Sequence, residues 1–232
     1  MLTFTKPADV NEVTAGGTAA AWIAYLASLG SLVTLLVLHV VRPDLAPSRH
    51  MVSEYALGSS NWLAALYFLL LAIGCAALLS TLIPAVRTTG GRIGLGFLGC
   101  ASVGLVLAAL FPMDPVDTLP GDGTTSGMMH GVAGALGMPT LIIASLILTY
   151  GLRRLPLWAP YARPLLIFAH LSWISSALMA VLIATAMQDN TIRPDAMFGW
   201  ANRLLVFAYA AWIMTAARPL MLARRVIADR QG

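Results

Sequence analysis

The chain has 232 residues, of which 59% are hydrophobic and only 10% charged, with a formal net charge of +4. Soluble domains carry about 25% charged residues, so an ordinary soluble domain is excluded. The positive balance does not indicate nucleic acid either, because the arginines stand at the ends of apolar runs rather than among stacking aromatics.

The first residues are mixed and polar, with Lys6, Asp9, Asn11 and Glu12. The apolar run that follows is longer than a signal-peptide core and no small-x-small cleavage site succeeds it, so it reads as a retained helix. Six apolar runs follow one another at about 19–41, 62–83, 93–111, 132–150, 165–187 and 200–222. A helix needs about 20 apolar residues to cross the hydrocarbon core. The fold expected is therefore all-α and polytopic: one bundle of six transmembrane helices over residues 1–232. The breaks are chemically marked. Arg42-Pro43-Asp44 ends the first run, Pro84 and Arg87 separate the second and third, and prolines, aspartates and glycines crowd 112–127. Leu155-Pro156 to Pro164 and Gln188 to Gly199 make the last two breaks. Cys75 and Cys100 fall inside apolar runs without CxxC spacing and read as small core residues. Gly94, Gly96, Gly99 and Gly104, and then Gly127, Gly131, Gly134 and Gly137, are expected to let helix backbones approach closely, and Pro139 to kink the fourth helix.

Lys6, Arg87, Arg92, Arg153, Arg154, Arg163, Arg218, Arg224, Arg225 and Arg230 fall on the side that holds both termini; Arg42, Arg49, Arg193 and Arg203 fall on the other. The positive-inside rule then puts both termini in the cytoplasm, and the expected location is the bacterial inner membrane. The acids run the opposite way: Asp44, Glu54, Asp114, Asp117, Asp122, Asp189 and Asp195 lie on the outer side with His39, His50 and His130. Only Asp9, Glu12, Asp229 and the inward-lying His170 are elsewhere. An ionisable group at membrane depth is costly and marks function or a buried pair, so the outer cluster is the candidate site. His170 reads instead as an interhelical hydrogen-bonding residue.

Within that cluster, Arg42-Pro43-Asp44, Val52-Ser53-Glu54-Tyr55, Phe111-Pro112-Met113-Asp114, His130 with its following small residues, and Asn202-Arg203-Leu204-Leu205 occur in this order. The set resembles a bacterial family of integral membrane proteins catalogued as domain of unknown function 998, over most of the chain. The resemblance implies a multi-helix membrane bundle and no particular activity.

Three functions fit the residues. In the first, His39, Asp114 and His130 hold a metal ion, zinc suiting these donors, whose water is activated for hydrolysis of a lipid-like substrate. Glu54, Asp114 and Arg203 would then serve catalysis, Glu54 moving the proton and Arg203 binding an oxyanion. Arg42, Asp44, Ser53, Tyr55, Asn202 and Arg203 would contact substrate, and His50 or Glu54 would be an additional ligand to the metal. In the second, the same cluster binds a membrane lipid or a small molecule without chemistry, as a sensor, accessory protein or transporter, although no inverted repeat is visible. In the third, His39 and His130 ligate a single haem, or the cluster holds a quinone. No Walker loop, Rossmann glycine pattern or GxSxG elbow occurs.

Overall fold

A computed structural model of the chain describes residues 15–228 except 117, 119–120, 189–190 and 194–195; for 15–16, 188, 191–192 and 223–228 it describes the backbone only. The expectations placed on Lys6, Asp9, Glu12, Asp117, Asp189, Asp195, Asp229 and Arg230, and on the side chains of Arg224 and Arg225, lie outside the described residues. Six helices are present: α1 Ala15–Val41, α2 Asn61–Leu82, α3 Thr89–Leu110, α4 Thr125–Leu152, α5 Ala162–Ala186 and α6 Gly199–Ala228. Each contains a stretch long and apolar enough to span a membrane. A minimal antiparallel hairpin, β1 Met187–Gln188 with β2 Thr191–Ile192, joins α5 to α6. A 3-10 turn, Val52–Ala56, lies in the α1–α2 connection.

Every helix begins earlier than hydropathy alone predicts, and for α3 and α4 the reason is capping. Thr88 accepts from Gly91 N at 3.1 Å and starts α3, and Thr124 accepts from Gly127 N at 3.0 Å and starts α4. Each threonine satisfies one of the amide donors that a helix N-terminus leaves unpaired. For α4 the extra turns carry Thr125 to Gly131, too polar and small to register in a hydropathy window, and place His130 inside the helix rather than at its start.

Each helix packs on its neighbours in the chain, and α6 returns to α1 and closes the ring. Helix α6 is the most enclosed of the six: along most of its span it faces protein, and its aromatics bond outward. Tyr209 Oη donates to Met138 O at 2.8 Å and Trp212 Nε1 to Thr149 Oγ1 at 2.8 Å, both tying α6 to α4. Trp158 Nε1 donates to Ala216 O at 2.9 Å.

The glycines divide into two kinds. A Cβ on Gly104 would stand 2.5 Å from the Gly137 amide nitrogen, so this pair sets the closest approach of α3 and α4. Gly131 and Gly134, expected to pack in the same way, do not: a Cβ on either meets nothing within 4 Å. They face open space because α4 meets α6 only at a few points. Helix α4 continues through Pro139. Cys75 is buried and Cys100 exposed, and both are free thiols.

Candidate functional site

The α1–α2 connection folds over the start of α6, and Arg203 is its anchor. The guanidinium is only 8% exposed. Its Nε donates to His39 Nε2 at 3.3 Å, Nη2 to Tyr55 Oη at 3.2 Å, and Nη1 to the carbonyls of His50 and, at 3.5 Å, Gly199. It also lies 5.5 Å from the centroid of the Tyr55 ring. Tyr55 Oη donates onward to Leu45 O at 3.3 Å, and the Tyr55 ring meets the His39 ring edge-on at 5.6 Å. Asn202, the neighbour of Arg203, accepts from Val52 N through Oδ1 at 2.9 Å and reaches Met179 Sδ with Nδ2 at 3.6 Å.

Arg203 pairs with neither Glu54 nor Asp114. Among the described residues the ion pairs are Arg42–Asp44 at 2.6 Å and His50–Glu54 at 2.6 Å. Glu54 is 3% exposed, and both its oxygens are used: Oε2 faces His50 Nδ1, and Oε1 accepts from Met51 N at 2.6 Å. It closes the 3-10 turn on itself. Arg42 and Asp44 form a second clip. Arg42 reaches both Asp44 oxygens, Leu57 O at 2.5 Å and Ser60 Oγ at 3.3 Å, and so fastens the end of α1 to the start of α2. The hydrogen bond from Arg42 holds the Asp44 carboxyl below the usual carboxylate range and raises Arg42 in return.

Asp114 works at the start of α4. Its oxygens accept from Thr124 N at 2.8 Å and Thr124 Oγ1 at 2.7 Å. A negative charge there complements the positive end of the helix dipole. Any side chain at Gly127 would collide with this carboxylate. Two residues past Thr124, Ser126 Oγ donates to Pro112 O at 2.8 Å, and one turn further on His130 Nδ1 stands 2.8 Å from Phe111 O. The α3–α4 connection is thus stitched to α4 by three successive polar side chains, and Phe68 packs edge-on against His130, centroids 6.1 Å apart.

Below these groups lies a partly open cavity of about 80 Å3 between α2, α3, α4 and α6. Ser53, Asn202 and His130 line it at the loop end, and apolar side chains line most of the rest. Tyr67 and Tyr209 also face it, and Gly134 is on its exposed side.

The sequence-derived site is therefore assembled in two halves. His39, Tyr55, Asn202 and Arg203 come together with the loop carrying Ser53 and Glu54, while Asp114 and His130 belong to the start of α4. Ser53, Asn202 and His130 converge on the cavity. Among the described residues no group of three or more His, Cys, Asp and Glu side chains is placed to hold a metal ion. The trio His39, Asp114 and His130 is divided: His39 Nε2 accepts from Arg203, and Asp114 accepts from Thr124. His170 joins α4 and α5 as expected, its Nε2 being 3.5 Å from Tyr150 Oη. Sequence reasoning passed over Tyr67 and Tyr209 and read Gly134 as a helix-packing residue. A tyrosine in mid-span was the available signal, since a buried hydroxyl needs a partner.

No protein of curated function and no solved structure matches the chain. A model of the family described as protein of unknown function (DUF998) matches residues 16–219, and the chain belongs to that family.

Proposed function

We propose that this protein binds an amphiphilic, lipid-like molecule in the cavity between α2, α3, α4 and α6, and that its role is recognition rather than hydrolysis. The observation that carries this reading is the cavity itself: apolar along most of its lining, with Ser53, Asn202 and His130 gathered at the loop end. That division suits a molecule with one polar end and an apolar chain. The zinc-hydrolase reading needs His39, Asp114 and His130 to share an ion. The prior engagement of His39 by a guanidinium and of Asp114 by a helix cap favours binding instead. The partners are membrane lipids, not nucleic acid. The distribution of Lys and Arg supports a bacterial cytoplasmic membrane location with both termini inside and the cavity mouth towards the outer leaflet.

The test is lipid extraction and mass spectrometry of protein purified in mild detergent, wild type beside Gly134→Leu. Gly134 lines the cavity and a Cβ there meets nothing within 4 Å, so a leucine at this position is expected to occupy the cavity mouth. Wild-type protein is expected to retain one lipid class enriched over the bulk membrane, and the variant to lose it while unfolding at a similar temperature. Identical lipid profiles would overturn the reading. Orientation is checked separately by Ser59→Cys, an exposed loop position that an impermeant maleimide should label in intact cells.

A further inference from the structure

Three polar side-chain atoms of residues lining the cavity, Ser53 Oγ, His130 Nε2 and Tyr67 Oη, have no partner among the described residues, and the last two differ in hydrogen-bonding character. A carbonyl only accepts, so the contact of His130 Nδ1 with Phe111 O places the proton on Nδ1. In the Nδ1–H tautomer that this contact selects, Nε2 carries a lone pair, which no described residue engages. Tyr67 lines the same cavity, is 1% exposed, and its hydroxyl makes no hydrogen bond to any described residue. The Tyr67 hydroxyl is not one of the fully enclosed unpaired groups, which among the described residues are Thr18 Oγ1 and Ser28 Oγ, so it faces the open part of the cavity, where a ligand oxygen can take the place of water.

The group that satisfies both atoms is an O–H: it donates to Nε2 and accepts from the tyrosine hydroxyl. Charge narrows the choice further. Among the described residues no Asp, Glu, Lys or Arg lines the cavity. Arg203, next to Asn202, directs its donors to His39, Tyr55, His50 O and Gly199 O. A phosphate or carboxylate would therefore be buried without a counterion. Size narrows it again. About 80 Å3 is roughly half of the ~150 Å3 that accommodates a benzene ring, so a hydroxyl and the first few carbons of a chain fit while a fused ring system does not. The remaining chain has an open route beside α4, past Gly131 and Gly134.

We propose that the cavity takes an uncharged lipid alcohol, its hydroxyl held between Tyr67 Oη and His130 Nε2 and its chain leaving beside Gly134. This rests on the binding reading above and adds the chemistry of the head. A long-chain isoprenoid alcohol and a monoacylglycerol share that chemistry.

The test uses the full chain in nanodiscs of phosphatidylcholine, with binding followed by native mass spectrometry and thermal shift. The probes are geranylgeraniol, 1-oleoylglycerol, the methyl ether of geranylgeraniol, geranylgeranyl phosphate and oleate. One or both alcohols are expected to bind, and which one does so identifies the natural source. The ether, which cannot donate to His130, and the two anions are expected to bind about tenfold more weakly, the worth of one such hydrogen bond. Tyr67→Phe keeps the ring and its packing and is expected to weaken the alcohol by a similar factor without lowering thermal stability. Anions or the ether binding as tightly as the alcohols, or an unchanged affinity in Tyr67→Phe, would overturn the lipid-alcohol assignment. Binding of those other probes that Gly134→Leu still abolishes would leave the broader reading standing. Failure of every probe, with lipid profiles unaltered by Gly134→Leu, would overturn both.

Discussion

Arg203 Nε donates to His39 Nε2 across the α6–α1 contact at 3.3 Å, and that fixes the histidine as a neutral acceptor. A guanidinium has no lone pair to offer and does not lose its proton in proteins. The same cation bonds the carbonyls of His50 and Gly199 and the hydroxyl of Tyr55. One side chain thus ties α1, the α1–α2 connection and α6 together, and holds the connection over the cavity.

Replacing it should be costly. Arg203→Met leaves those acceptors buried without a donor, and the expected loss is on the order of 3 kcal/mol. Arg203→Lys keeps the charge but presents a point rather than a fork, so it should recover only part of the loss. Thermal unfolding in detergent, wild type beside the two variants, checks the order. Arg203→Lys matching wild type would mean that charge, not the forked geometry, is what matters.

The support that Asp114 gives to Thr124, the cap of α4, makes a second prediction and bears on metal. Asp114→Ala removes the acceptor for Thr124 N and Oγ1 and the charge at the helix start. The expected cost is about 1 kcal/mol, the usual worth of a cap. A chelator is expected to leave the unfolding temperature of the wild type unchanged, and zinc to be well below one per chain. Stoichiometric zinc lost in Asp114→Ala would revive the hydrolase reading.

The clip between Arg42 and Asp44 predicts an asymmetry. Asp44 is exposed and held below the usual carboxylate range. Its contribution is therefore complete above the unfolded carboxylate value and is lost only as pH falls below that, through the depressed folded value. Exposed pairs contribute little, so Asp44→Asn should barely move the unfolding temperature at neutral pH. Arg42→Ala also gives up Leu57 O and Ser60 Oγ and should lower it more clearly. Equal effects of the two substitutions would show that the ion pair alone matters.

The six spans were legible in the sequence because lipid imposes a length and a polarity that no other environment requires. The clustering of Tyr55, Asn202 and Arg203 was legible too, since ionisable and amide groups at the depth of a helix end must find partners. What they partner was not. Arg203 bonds to two backbone carbonyls, and a carbonyl has no residue type to read. Asp114 and His130 are likewise committed to the backbone or hydroxyl of the α3–α4 connection, so counting acids and histidines overstated the donors free for a metal. The cavity was hidden for a different reason. It arises from where α4 stands away from α6, and glycine spacing is the same whether a glycine packs a helix or borders a gap.

That ambiguity is itself testable, because Gly104 and Gly134 should respond to the same substitution with opposite sign. Gly104→Ala drives a methyl to 2.5 Å from the Gly137 amide. Backbone cannot swing aside as a flexible side chain would, so α3 and α4 must separate, at a cost of about 1–3 kcal/mol. Gly134→Ala places its methyl where nothing lies within 4 Å. It also removes a conformationally free residue from a helix interior, which typically stabilises by about 0.4–1 kcal/mol. Unfolding temperatures of the two variants under one detergent condition give the comparison. If Gly134→Ala destabilised as much as Gly104→Ala, another helix would have to lie against that face, and the opening through which the ligand chain is proposed to leave would be closed.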